Sequence, residues 1–101
     1  MGQSMLQYYV GLAKEGGEAS IAELIGHLNM DMTIAESKFI DFALGHVTDD
    51  TGFKIMERYL FHGTQIQRNY AALYFGRLGE WLIIRRAYDE GLIDYRQAFS
   101  R

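Results

Sequence analysis

The stretch from Thr64 to Glu90, TQIQRNYAALYFGRLGEWLIIRRAYDE, constrains this chain more than any other. It contains no proline, and Gly91 follows it directly. Unbroken, it would make roughly seven helical turns. From Tyr70 to Ile84 it is apolar on nearly every side, and a helix that is apolar all round must be covered by something. The sequence therefore predicts a central helix over about 64–90, sheathed by the shorter elements before it or buried in an oligomer. Gly76 and Gly79 lie inside it, and a kink or break there is the competing expectation.

Composition supports a helical reading. There is no proline in 101 residues, where average usage of about 5% would give about five. That points to helices joined by glycine turns rather than to hairpins. The absence of cysteine removes disulfide scaffolds, thiolate metal sites and cysteine nucleophiles together. With 49% apolar and 14% aromatic residues the chain is not of disordered composition. The length is that of one domain, 1–101.

Local signals place four helices ahead of the long one. Met5, Tyr8, Tyr9 and Leu12 repeat at i, i+3, i+4, i+7 and predict a helix over 4–14. Gly16-Gly17 ends it. Ser20-Ile21-Ala22-Glu23 reads as a capping box for a helix over 20–29, striped by Ile21, Leu24, Ile25 and Leu28. Thr33-Ile34-Ala35-Glu36 is a second box, opening a helix over 33–46 with Ile40, Ala43, Leu44 and Val47 as its stripe. The run Thr48 to Thr51 offers N-caps for a helix over 51–61 using Phe53, Met56 and Leu60. After 64–90, Asp94 caps a short terminal turn, YRQAF. The fold expected is all-α: about five helices, the long C-terminal one central and the others covering it.

The charge is unevenly spread. Net charge is −3, yet residues 1–50 hold two basic and eight acidic side chains, and residues 51–101 hold eight basic and five acidic. The halves can attract each other within one fold or across a dimer, or the basic half can meet an anionic partner. Projected at 100° per residue, Ile66, Tyr70, Tyr74, Trp81, Ile84 and Tyr88 fall on one face of the long helix, with Arg77 in its midst. A charge in that setting needs an acidic partner or a ring to stack on. Arg77 is thus a structural anchor or the centre of an aromatic ligand pocket. Tyr8 and Tyr9, with Met5, are candidates for a partner-binding face, since Tyr, Trp, Met and Arg are enriched in interface cores.

Catalytic and metal chemistry find little footing. His27, His46 and His62 show no HxxxH or HExxH spacing, the few serines sit in no nucleophile elbow, and no phosphate-cradling glycine loop occurs. Neither an enzyme, a metal nor a cofactor is expected. Ile21, Ala22, Ile25, Gly26, Met32 and Ala35 make residues 20–38 resemble a degenerate DNA-binding helix-turn-helix, although the second helix opens DMTIAESK with little positive charge for phosphate. A nucleic-acid regulator would use that unit or Arg68, Arg85, Arg86 and Arg96. The N-terminus lacks a basic region and cleavage site, and Leu82–Ile84 runs straight into Arg85-Arg86, so a cytoplasmic chain with no membrane span is expected. The principal expectation is a non-enzymatic protein-interaction module, homodimeric or larger through the Tyr70–Tyr88 face, Phe75 or the first helix. Nucleic-acid binding and a small ligand at Arg77 are the alternatives.

Overall fold

A computed structural model describes residues 4–99. Among them the chain is helical with no strand, in seven helices: α1 Met5–Glu15, α2 Gly17–Gly26, α3 Ile34–Leu44, α4 Asp50–His62, α5 Gln65–Leu78, α6 Trp81–Asp89 and α7 Tyr95–Phe99. They fall into two compact units, one ending at Ile55 and one beginning at Met56.

In the first unit α1 packs against both α2 and α3. Ser4 starts α1 with a reciprocal box: its hydroxyl accepts from the Gln7 amide at 3.1 Å, and the Gln7 side chain accepts from the Ser4 amide at 3.1 Å. Gly16 and Gly17 both take positive φ, 68° and 78°, and the chain reverses there. This left-handed pair is affordable only without a Cβ. It lets α2 begin at once, at Gly17, three residues before the expected start. The Ser20 box therefore does not form. Ser20 lies inside α2, buried, and its hydroxyl donates to the Glu15 carboxylate instead.

The stripes of α2 and α3 are as expected: Ile21, Leu24, Ile25, Leu28, Ile40, Ala43, Leu44 and Val47 are all in the core. The α1 stripe is only partly so. Tyr9 and Ala13 are buried, while Met5 and Tyr8 stay exposed. Thr33 caps α3, accepting from the Glu36 amide at 3.0 Å. Asp49 caps α4, its Oδ1 accepting from the Gly52 amide at 2.7 Å.

In the second unit α5, α6 and α7 pack on one another. Their core is Ala71, Ala72, Tyr74, Phe75, Ile84, Ala87, Ile93 and Ala98, joined by Met56 and Leu60 of α4. Thr64 and Gln67 form the box that opens α5, and Asp94 and Gln97 form the one that opens α7.

The long helix over 64–90 is not one rod. Gly79 adopts φ 72°, ψ 23°, the left-handed region. Its amide donates to the Gly76 carbonyl at 3.1 Å and the Glu80 amide to Phe75 at 3.0 Å. This pair of bonds is a Schellman stop, which satisfies the last carbonyls of α5. Gly91, φ 77°, repeats it: its amide donates to Tyr88 and the Leu92 amide to Ala87. The single spine is thus two shorter helices with a left-handed glycine between them, and the break lets Ile84 and Ala87 of α6 enter the same core as Ala71 and Phe75 of α5.

Candidate functional site

The stop at Gly79 removes the premise of one aromatic face around Arg77, because the 100° phase of α5 does not carry into α6. The residues divide between two helices accordingly. Tyr74 is buried with its ring 5.0 Å from Phe75, edge to face. Tyr70 is half-buried on α5, and Arg77 is exposed in its last turn. Trp81 and Tyr88 stand at opposite ends of α6. Tyr88 joins a different cluster, its ring 6.2 Å from Tyr95 and 5.4 Å from Phe99, which are themselves 4.9 Å apart. Phe75 is wholly buried and offers no surface for a dimer.

What the break does create is an exposed apolar turn. Residues 77–82, RLGEWL, are exposed without interruption. Leu82 is 87% exposed, Leu78 49% and Trp81 39%. Leu82 is on the outer face of α6 because its i+3, i+4 and i+7 neighbours are Arg85, Arg86 and Asp89, all exposed. That signal was present in the sequence but is visible only when α6 is phased by itself, with Ile84 and Ala87 as its inner positions.

The first unit has its own ring cluster. The Tyr8 and Tyr9 centroids are 5.7 Å apart, and His27 lies 6.2 Å from Tyr8 and 5.2 Å from Tyr9. Sequence spacing pairs the two tyrosines, but it gave no reason to bring in His27, which arrives as the residue closing α2. Burial pushes the Tyr9 hydroxyl above its ordinary value, and the negative charge of Glu36 adds to the rise. Met30, Ile34 and Phe42 are well exposed in this unit, and the Phe42 ring meets His46 at 5.4 Å. The Nδ1 of His46 is buried without a hydrogen-bond partner.

The arginines proposed for nucleic acid are held by the protein itself, Arg96 apart. Arg68 works as a staple: Nε donates to the Leu92 carbonyl at 2.8 Å, Nη1 to Gly63 at 2.8 Å and Nη2 to the Gln65 side chain at 2.7 Å. Arg85 pairs with Asp89 at 3.2 Å. Arg86 meets Glu57 at 3.4 Å and Glu90 at 3.7 Å, with its guanidinium 4.2 Å from the Phe61 ring centre. Arg96 is exposed on α7. In the 20–38 segment the connection between α2 and α3 spans 27–33, longer than the roughly three- to four-residue turn of a helix-turn-helix. Ala35, whose counterpart there would be apolar core, is exposed.

A shallow groove of about 320 Å³ is lined by Gln65, Gly91, Leu92, Ile93, Asp94 and Gln97. Its main polar groups are already committed, since Asp94 and Gln97 cap α7 and Gln65 accepts from Arg68 and donates to Asn69. Among the described residues no group of three His, Asp or Glu side chains is placed to hold a metal ion, and no helix is long and apolar enough to cross a membrane. No protein family, characterised protein or solved structure matches the chain.

Proposed function

We propose that this chain is a small non-enzymatic interaction module, with an accessory, regulatory or inhibitory role, that presents apolar surface to a protein partner. The observation that carries this reading is the exposed turn between α5 and α6, where Leu78, Trp81 and Leu82 stand in solvent. A leucine left in water forgoes about 1.5–3 kcal/mol that burial would return, and clustered exposed apolar residues mark interaction sites. Tryptophan and leucine on a turn and helix that also expose Glu80, Arg85 and Arg86 have the make-up of an interface centre with polar surroundings.

The test is affinity capture from a lysate of the source cells, with immobilised full-length chain compared against Leu82→Glu. A protein retained by the native chain and lost from the variant is the expected result. Identical retention by both would refute the role of this turn. Retention of nucleic acid alone, reversed by salt, would favour the nucleic-acid alternative.

A further inference from the structure

The outward side of α3 is also apolar, and its charges are ordered. Ser37, Ile40, Ala43 and Leu44 turn inward. Ile34, Lys38 and Phe42, each four residues from the last, turn out, and the two apolar ones are 77% and 60% exposed. Gly45 closes the helix with φ −62° and ψ −14°, so the same winding carries through it. At about 3.6 residues per turn, Asp41, Ile34, Gly45, Lys38 and Phe42 fall in that order within about 100° around the axis. Asp41 is half-buried and the other four are exposed.

We propose that this face of α3 pairs with the same face of a second copy of the chain. It is a surface separate from the turn between α5 and α6. Two α3 helices laid antiparallel, with a twofold axis level with the Phe39–Ile40 peptide, bring Lys38 of each copy level with Asp41 of the other. The same axis sets Ile34 over Gly45, which has no side chain to resist it. Phe42 stands on the Lys38 side of the face, so the incoming lysine also meets its ring, a favourable place for an ammonium. An isologous contact demands a patch complementary to itself, and this spacing of apolar residue, base, acid and glycine meets the demand.

Charge selects the second copy over other occupants. Residues 1–50 hold eight acidic and two basic side chains, so an acidic partner is repelled by the surroundings of the face. A basic partner meets Lys38 at its centre as a like charge. A second copy offers that lysine an aspartate in register. Exposed ion pairs contribute little energy, so they fix orientation while Ile34 and Phe42 supply the attraction. One helix of three turns covers less than the roughly 800 Å² per partner of a standard interface. The dimer is therefore weak and reversible.

Sedimentation equilibrium of the full chain from about 10 µM to about 1 mM measures it. The expected result is a monomer–dimer equilibrium within that range. Ile34→Glu raises the dimer Kd at least about tenfold, because two isoleucines leave the contact together. Lys38→Asp and Asp41→Lys each weaken the dimer by about fivefold or more through like-charge contacts, and the double exchange restores it. Leu82→Glu leaves it unchanged. Native circular dichroism checks the fold of each variant, and the exposed Ile34 decides the matter should Asp41→Lys unfold. A monomer at every concentration overturns the proposal. So does a dimer indifferent to Ile34→Glu, one that a folded double exchange fails to rescue, or one lost to Leu82→Glu. Leu82-dependent capture of a partner by a chain that stays monomeric would sink this proposal and leave the interaction-module reading standing.

Discussion

Replacing Gly79 by alanine tests the feature on which the second unit turns. Gly79 sits at φ 72°, and its amide and that of Glu80 close α5 onto Gly76 and Phe75. An added Cβ would meet nothing closer than Trp81 Nε1 at 3.9 Å, which is ordinary contact. The cost is therefore conformational alone, about 1–2 kcal/mol for an L-residue held left-handed. For a chain of this size that lowers Tm by about 4–8 °C per kcal/mol. Alanine also favours helix over glycine by about 1 kcal/mol, so the substitution presses toward one continuous rod. The broken form holds because continuity would withdraw Ile84 and Ala87 from the core. Gly76 is the internal control. It is helical, and a Cβ there would lie 3.9 Å from Ile84 Cδ1, so Gly76→Ala should stabilise by about 0.5–1 kcal/mol. Urea melts followed by far-ultraviolet circular dichroism read both. Opposite signs three residues apart, with helix content unchanged, are expected. Gly79→Ala melting at or above the native Tm with added helix would refute the break and restore the single rod.

Other perturbations follow from the same geometry. A Cβ on Gly52 would strike the Val47 side chain and lie 2.9 Å from Asp49 Oδ1, so Gly52→Ala should cost about 1–3 kcal/mol by overpacking, read as a lower urea midpoint. Arg68→Ala should cost about 1.5–3 kcal/mol, because the carbonyls of Leu92 and Gly63 lose a charged donor. Arg68→Lys should not rescue it, since one ammonium cannot span three acceptors as the guanidinium fork does. Tyr9 is neutral when protonated and its folded-state pKa is raised from 10.0 by burial and then by Glu36. Its stabilising contribution is full below that value and is lost as pH rises through the folded pKa. Stability should fall above pH 10.0, and Tyr9→Phe should flatten part of that fall; an unchanged alkaline limb would contradict the assignment.

How much of the candidate site could be read from sequence depends on phase. Spacing pairs Tyr8 with Tyr9, and they do sit together, but Tyr9 is core and Tyr8 is at the surface. Of the residues projected around Arg77, Tyr74 faces inward, Trp81 opens the next helix, and Tyr88 sits at the far end of that helix against Phe99. The projection failed because it added rotation across a residue that does not rotate with the helix. Leu82, which carries the functional reading, does not stand out in the sequence because it lies beside Trp81 and Ile83 in an apolar run, and only the boundary at Gly79 shows it to be on the charged side.

The sequence by itself determined the helical class and most of the punctuation. Thr33, Thr64 and Asp94 cap the helices they were expected to cap, Asp49 is the one of the four candidates from Thr48 to Thr51 that caps α4, and Gly16-Gly17 and Gly91 stop theirs. These are contacts within three or four residues, so the local chain suffices to specify them. The tertiary structure decided which of two equally permissive glycines would break the long stretch. Gly76 stays helical and Gly79 turns left-handed because only the second choice brings Ile84 and Ala87 of α6 onto Ala71 and Phe75 of α5. It likewise took Ser20 from a cap to a buried bond with Glu15, since the glycine pair let α2 start early. Burial of apolar area between segments distant in sequence selects among local options that the chain leaves close in energy.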